Sequence, residues 1–175
     1  MRWIRKINNY ENQVYSQNGE DGILEFIFEN IGTTNKIYVE FGTEDAKECN
    51  TRYLRYYIFI PLNPLFIAKE LSREEKGWNV KESLLMDGSY EDPKINLRRA
   101  MFWPDNILEL FTRFGVRKEF DLLSVDMDSY DWWMVEAILE GGYRPRVIGD
   151  TGQGGEGVDH SDHYSDGIQH HDCDQ

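Results

Sequence analysis

Between Asn18 and Gly32 the apolar residues Ile23, Leu24, Ile27, Phe28 and Ile31 recur every three or four positions, which places them on one face of a helix. Asn18 is positioned to cap its start and Gly32 to stop its end. The run KIYVEFG (36–42) follows at once. It is short, rich in β-branched and aromatic residues and closed by glycine, so it predicts a buried strand ending in a turn. SLLMDG (83–88) repeats that pattern, and INLRRAMF (95–102) suits one more short strand. DNILELFTRFG (105–115) sets Ile107, Leu110, Phe111 and Phe114 on one helical face and closes at Gly115. FDLLSVDMD (120–128) predicts a buried strand with acids at its C-terminal end. Ser129 then caps a helix through WWMVEAILE that Gly141 and Gly142 end, and RPRVIGD (144–150) predicts a last strand. Strands alternating with helices imply an α/β fold with a doubly wound, mostly parallel sheet. At least one of Trp132 and Trp133 is expected in its core, beside Val135, Ile138 and Leu139.

Two segments break the pattern. YYIFIPLNPLFIAKE (56–70) is strongly apolar, yet Pro61 and Pro64 disrupt both a helix interior and a central strand. From Gly149 onward the chain is rich in Gly, Asp and His with almost no apolar residue, which predicts a disordered tail over 149–175. That tail also carries much of the charge. The formal net charge is -13, but residues 149–175 hold seven carboxylates and no Lys or Arg, leaving 25 acidic against 19 basic residues before them. The balance argues against nucleic acid and an anionic membrane surface as partners. The basic start MRWIRKINNYENQ lacks the apolar stretch of a signal peptide, and no run is long enough for a membrane span, so a cytoplasmic location is expected. Cys49 and Cys173 stand far apart without metal-ligand spacing, and Cys49 reads as a small buried residue.

Three predicted strand ends carry acids: Glu40-Phe41-Gly42, Asp87-Gly88 and Asp126-Met127-Asp128. Ligands of open parallel sheets bind outside the carboxyl ends of the strands. A glycine turn admits a ligand closely, and a carboxylate on the neighbouring strand can accept both hydroxyls of a ribose. The pattern therefore suits a nucleoside cofactor. The first turn, GTEDAKE, lacks G-x-G-x-x-G and sets Glu44 and Asp45 where a pyrophosphate would be repelled. Asp87 has a competing reading as a cap of the Gly88-Ser89 turn. Asp126, Asp128 and Asp131 fail the calcium-loop pattern at Tyr130 and Asp131, so capping is preferred to a metal and no metal site is assigned. His160, His163, His170 and His171 read as solvated residues rather than ligands.

The stretches YSQNGEDGILEFIFENIG (15–32), YVEFGTEDAKECNTRYLR (38–55), GW with LLMDG (77–88), and NILELF, EFDLLSVDMDSYDWW and YRPRVI (106–148) together resemble the FkbM-type S-adenosylmethionine-dependent methyltransferases. The resemblance implies a Rossmann-like, class I methyltransferase-like domain over 15–148, with an atypical apolar insertion around 56–72. It implies S-adenosylmethionine as cofactor, with Glu40 and Gly42 in the first cofactor motif, Asp87 at the ribose, and Gln17 and Asp21 approaching from the first helix. Asp126 would face the methionine portion and the methyl acceptor, a small molecule or glycan-like compound, and is the candidate catalytic residue. Two departures qualify this. Ala46 replaces a glycine usual in the family, where a left-handed turn costs roughly 1 kcal/mol. The resemblance stops at Ile148, before the family's terminal strands, which leaves an exposed sheet edge that invites self-association. A non-catalytic domain that binds cofactor or a partner chain without turnover is the alternative. A DxD-type sugar-nucleotide transferase at Asp126-Met127-Asp128 is a third reading.

Overall fold

The computed structural model describes residues 3–56, 77–127 and 130–150. Five strands run in chain order as β1 (Tyr38–Phe41), β2 (Leu84–Asp87), β3 (Leu97–Arg99), β4 (Glu119–Val125) and β5 (Arg144–Asp150). They form one sheet in the order β3-β2-β1-β4-β5, and every neighbouring pair is parallel. The chain builds outward from β1 in one direction through β2 and β3, then returns to the other side of β1 for β4 and β5. This reversal between β1 and β4 is the topological switch point of a doubly wound, Rossmann-like sheet.

Among the described residues four α-helices cover the sheet: α1 (Glu20–Ile31), α2 (Arg52–Tyr56), α3 (Ile107–Arg113) and α4 (Asp131–Glu140). Strand alternation divides the core between them. Val39, Phe41, Leu84, Met86, Leu123 and Val125 point to one face and pack with Ile107 and Phe111 of α3 and Met134 and Ile138 of α4. Tyr38, Leu85, Leu97 and Leu122 point to the other and pack with Leu24 and Phe28 of α1 and Leu54 of α2. All four residues of β1 are buried, as a central parallel strand requires. No helix among the described residues is long and apolar enough to cross a membrane.

Several expectations need correction. The first helix is capped not by Asn18 but by Gly19, in the left-handed region at φ 90° and with no side-chain cap. The Asn18 N–H instead donates to Glu20 Oε2 at 2.8 Å. The buried residues of α1 include Phe26, stacked on Tyr10 at 3.6 Å between centroids, because a 3-10 helix over Ile4–Tyr10 covers a second side of the helix. Neither Trp132 nor Trp133 enters the core; they are 68% and 47% exposed. The buried stripe of α4 is Asp131, Met134 and Ile138, at helical spacing, and the two tryptophans fall beside it. The proposed cap Ser129, the stretch 57–76 and the tail from 151 lie outside the described residues, while β5 covers the strand expected over 144–150.

At the foot of β4 a buried carboxylate joins distant parts of the chain. Asp121 accepts from the backbone N–H groups of Thr34, Asn35 and Lys36, and forms an ion pair with Arg146 of β5 at 2.9 Å. Arg146 also donates to the carbonyls of Gly32 and Ile31, the last turn of α1. Burial opposes ionisation of Asp121, but Arg146 and these N–H donors outweigh it and hold its carboxyl below the usual range. A depressed pKa adds stability that is complete above the unfolded-state value near 4 and is lost as pH falls through the folded value. Asp121→Asn should therefore lose about 2–4 kcal/mol at neutral pH. Its melting temperature should also fall less steeply than that of the parent between pH 5 and 3. Parallel profiles for the two proteins would exclude the assignment.

Candidate functional site

A cleft of about 340 Å³ opens at the switch point, over the carboxyl ends of β1 and β4. Its walls are the loop that follows β1 (Thr43 to Asn50), the approach to α1 (Gln17, Asn18 and Glu20), and Glu40, Gly42 and Asp126. Of the expected cofactor residues, Gln17, Glu40, Gly42 and Asp126 converge here, whereas Asp21 and Asp87 do not line it.

Gly42 is required by backbone proximity. Its φ is 70°, and a Cβ there would collide with the carbonyl oxygen of Asp126. The glycine thus lets the ends of β1 and β4 close on each other and form the cleft floor. Beyond it, Glu44 (φ 47°) and Ala46 (φ 59°) are both left-handed, so the strain expected at Ala46 is present and a second strained residue joins it.

Glu40 holds this loop in place. Its side chain lies on the α1/α2 face of β1, 2% exposed. Oε1 accepts from the Asn50 N–H at 2.8 Å; Oε2 accepts from the Thr51 N–H at 3.1 Å and the Thr51 hydroxyl at 2.6 Å. Ser124, opposite Glu40 in the ladder, donates to Oε1 at 3.4 Å and accepts from Asn50 Nδ2 at 3.1 Å. Burial raises the Glu40 pKa despite these donors and the positive charge of Arg55. Glu40 therefore shapes the cleft chiefly by fixing Asn50 and Thr51 at the start of α2.

Asp21 has a similar internal task. Fully buried, it accepts at Oδ2 from the N–H groups of Val14, Tyr15 and Ser16, while Ser16 Oγ accepts from the Asp21 N–H. Its Oδ1 is buried without a hydrogen-bond partner. The carboxylate thereby folds the approach to α1 that presents Gln17 and Asn18 to the cleft. Asp87 accepts from Glu44 N–H at 3.0 Å through Oδ2, and from Ser89 and Tyr90 N–H at 2.7 and 3.1 Å through Oδ1. A carboxylate offers about four acceptor positions, so about one remains, too few for both hydroxyls of a ribose unless a backbone donor is released.

Asp126 differs from these acids. It is exposed, lines the cleft, and its carboxylate makes no hydrogen bond or ion pair among the described residues. Asp128 lies outside them. The cleft is acidic: Glu20, Glu44, Asp45, Glu48 and Asp126 surround it with Glu40, against Lys47 alone, which is paired with Asp45 at 2.6 Å. No group of three metal-ligating side chains occurs among the described residues. Thr43, 4% exposed, lines the cleft with its hydroxyl unpartnered.

Sequence reasoning did not single out Thr43, Asn18, Glu20 or Asn50 as site residues. The signal available was their position, since each lies in the loops flanking the β1 end and its glycine turn. Comparison of the chain with protein-family models, curated proteins and solved structures gives no match.

Two outcomes follow from this geometry. Asp87→Asn must turn an amide NH₂ toward either the Glu44 N–H or the Ser89 and Tyr90 N–H groups, and should lower stability by about 1–2 kcal/mol in urea unfolding. An unchanged midpoint would refute the capping role. Burial first, and then the Glu40 charge, push the Cys49 thiol up to about 12. In a Cys173→Ser chain, Cys49 should stay unreactive to a thiol reagent at pH 7.5 until the protein is unfolded; rapid modification of folded protein would contradict its burial.

Proposed function

We propose that the chain is a methyltransferase that binds S-adenosylmethionine in the acidic cleft and delivers its methyl group to an oxygen or nitrogen acceptor. The observation that carries the proposal is the cleft's place and sign: it lies at the switch point of an all-parallel sheet and is lined by carboxylates. The resemblance to FkbM-type enzymes supports the same reading. A cofactor with a sulfonium and an ammonium group suits such a lining, whereas a nucleoside triphosphate would be repelled. The cleft volume falls in the range of roughly 300–1,000 Å³ usual for small-ligand sites.

In this reading Gln17 and Asn18 supply neutral amides from the α1 side, and Gly42 supplies a floor without a side chain. Thr43 offers a buried hydroxyl that has no hydrogen-bond partner among the described residues. Bound S-adenosylmethionine would provide an electrophilic methyl group on sulfur. The protein's main contribution is alignment. Asp126, without a hydrogen bond or ion pair among the described residues and at the end of β4, is the group that orients the acceptor or takes its proton. Asp21 and Asp87 act through the loops they hold.

A second reading is favoured by β5. Among the described residues it is paired only with β4, and Ile148 is 42% exposed. An edge of seven residues left unpaired among the described residues is a template for another chain, which fits a domain that binds cofactor or a partner without turnover.

Calorimetry separates these readings. S-adenosylmethionine should bind, and ATP should not. Because the cofactor carries one more positive charge than S-adenosylhomocysteine, it should bind roughly fivefold more tightly at low salt, and the difference should shrink in 0.5 M NaCl. Absence of S-adenosylmethionine binding would sink the proposal. Binding by a dimer that shows no methyl transfer to any acceptor would favour the second reading.

A further inference from the structure

Thr43 and Glu44 follow the Gly42 turn directly, and both line the cleft. Thr43 is 4% exposed, and its hydroxyl has no hydrogen-bond partner among the described residues, an omission that folds seldom leave inside themselves. Glu44 is exposed, and its carboxylate makes no hydrogen bond or ion pair among those residues. Its backbone is nevertheless left-handed at φ 47°, a region that glycine enters without the steric cost a side chain meets. Glutamate bears that cost here while its carboxylate returns no bond to the fold. An unmet hydroxyl and an unspent carboxylate on adjacent residues of one cleft wall are two separate signs that this loop is completed by what it binds.

Glu44 is also the cleft acid tied to the end of β2. Its N–H donates to Asp87 Oδ2 at 3.0 Å, whereas Asp126 follows β4 on the far side of β1, and Glu48 lies toward the start of α2. Asp87 stands at the strand end where a ribose acceptor is expected, but the N–H groups of Glu44, Ser89 and Tyr90 occupy it and it does not line the cleft. Glu44 is one hydrogen bond away from Asp87, inside the cleft, with both carboxylate oxygens open. The contact that spends Asp87 is thus the one that positions Glu44.

We infer that Glu44, rather than Asp87, accepts the vicinal hydroxyls of the cofactor's ribose, with the Thr43 hydroxyl as a further contact to the bound nucleoside. A carboxylate can accept one hydrogen bond at each oxygen, and bonds to an ionised acceptor are the stronger kind, so the pair distinguishes a ribose from a sugar without the diol. A site built to bond a hydroxyl rejects an analogue that lacks it, because its own polar group is then left unpaired. Asp87 keeps a positioning role, acting through the backbone of Glu44. The inference rests on the reading of the cleft as an S-adenosylmethionine site and deepens it by naming the group that recognises the sugar.

The test uses the full chain and calorimetry with S-adenosylmethionine, adenosine and dideoxyadenosine, the last lacking both ribose hydroxyls. The parent should prefer adenosine to dideoxyadenosine by roughly tenfold or more. Glu44→Gln should remove most of that preference, weakening adenosine roughly tenfold and leaving dideoxyadenosine unchanged. Asp87→Asn and Glu48→Gln should each keep it, whatever they do to S-adenosylmethionine. Folding separates a binding role from a scaffolding one. Glu44→Gly relieves the left-handed backbone and Thr43→Val removes a buried hydroxyl without a partner, so both should keep or raise the melting temperature while weakening adenosine. A lower melting temperature with adenosine affinity unchanged, in either variant, would make the loop a scaffold only and overturn the inference. So would a preference that survives Glu44→Gln, or one that is lost in Asp87→Asn. Glu44→Gln that weakens S-adenosylmethionine but not adenosine would overturn it too, because the carboxylate would then act at a distance on the cofactor's positive charge. S-adenosylmethionine binding without a preference between the two nucleosides rejects the inference alone, whereas failure of all three ligands to bind the parent rejects the cofactor reading and the inference with it.

Discussion

Burying the Glu40 carboxylate in the central strand costs several kcal/mol unless hydrogen bonds replace its lost water. Both oxygens are answered, and the donors come from Asn50, Thr51 and Ser124, three residues that no local preference would bring together. Satisfying one buried charge thus fixes where the loop after β1 must land. Since Asn50 lies in the cleft wall and Thr51 immediately precedes α2, the position of that helix and the shape of the cleft follow from the same constraint. The sheet ladder reinforces it, because Ser124 is Glu40's register partner on β4.

The loop is not relaxed in this arrangement. It must leave β1 through Gly42, whose lack of a side chain admits the Asp126 carbonyl, and reach Asn50 within eight residues. Glu44 and Ala46 absorb the reversal by taking left-handed conformations, which cost about 1–2 kcal/mol each. Their compensation is visible: the Glu44 N–H is accepted by Asp87, and the Ala46 N–H by the Thr43 carbonyl at 2.8 Å. Ala46 also gives its carbonyl to Arg55, which tightens the turn against α2. Asp87 is therefore a brace between β2 and the strained loop. Strain maintained in this way is characteristic of positions where a ligand is received.

The fold was largely legible because burial of whole strands leaves an unmistakable trace. YVEF, LLMD and FDLLSV read as strands for the same reason that their residues are buried, and the glycine and acidic endings marked where each stopped. What the pattern did not convey was side-chain partnership. Asp21 and Asp87 were expected at the cofactor; Asp21 Oδ2 accepts from backbone N–H groups five to seven residues away and Asp87 Oδ2 from Glu44, more than forty residues away, which spacing alone does not reveal. Trp132 and Trp133 were misplaced because a run of apolar residues fixes a helix without fixing its rotation. Here the rotation is set by Met134 and Ile138, together with Asp131, which accepts from the Met127 N–H. Asp121 and Arg146 escaped notice for the same reason: a foot-of-sheet ion pair joining residues 25 apart has no local signature.

The commitments of the acids sort the functional candidates from the structural ones. Asp21, Glu40, Asp87, Asp121 and Asp131 each accept at least one backbone N–H, so each is already used to hold a loop or a helix start. A carboxylate so engaged is held in one orientation, so turning it toward an incoming molecule would cost those hydrogen bonds. Among the strand-end acids whose side chains are described, Asp126 alone combines exposure, a place in the cleft wall and freedom from such bonds to described residues. Its backbone is meanwhile pinned, because its carbonyl lies against Gly42. In the methyltransferase reading proposed above, the fold sets where Asp126 begins, and its carboxylate, without a hydrogen bond among the described residues, is left to meet the acceptor.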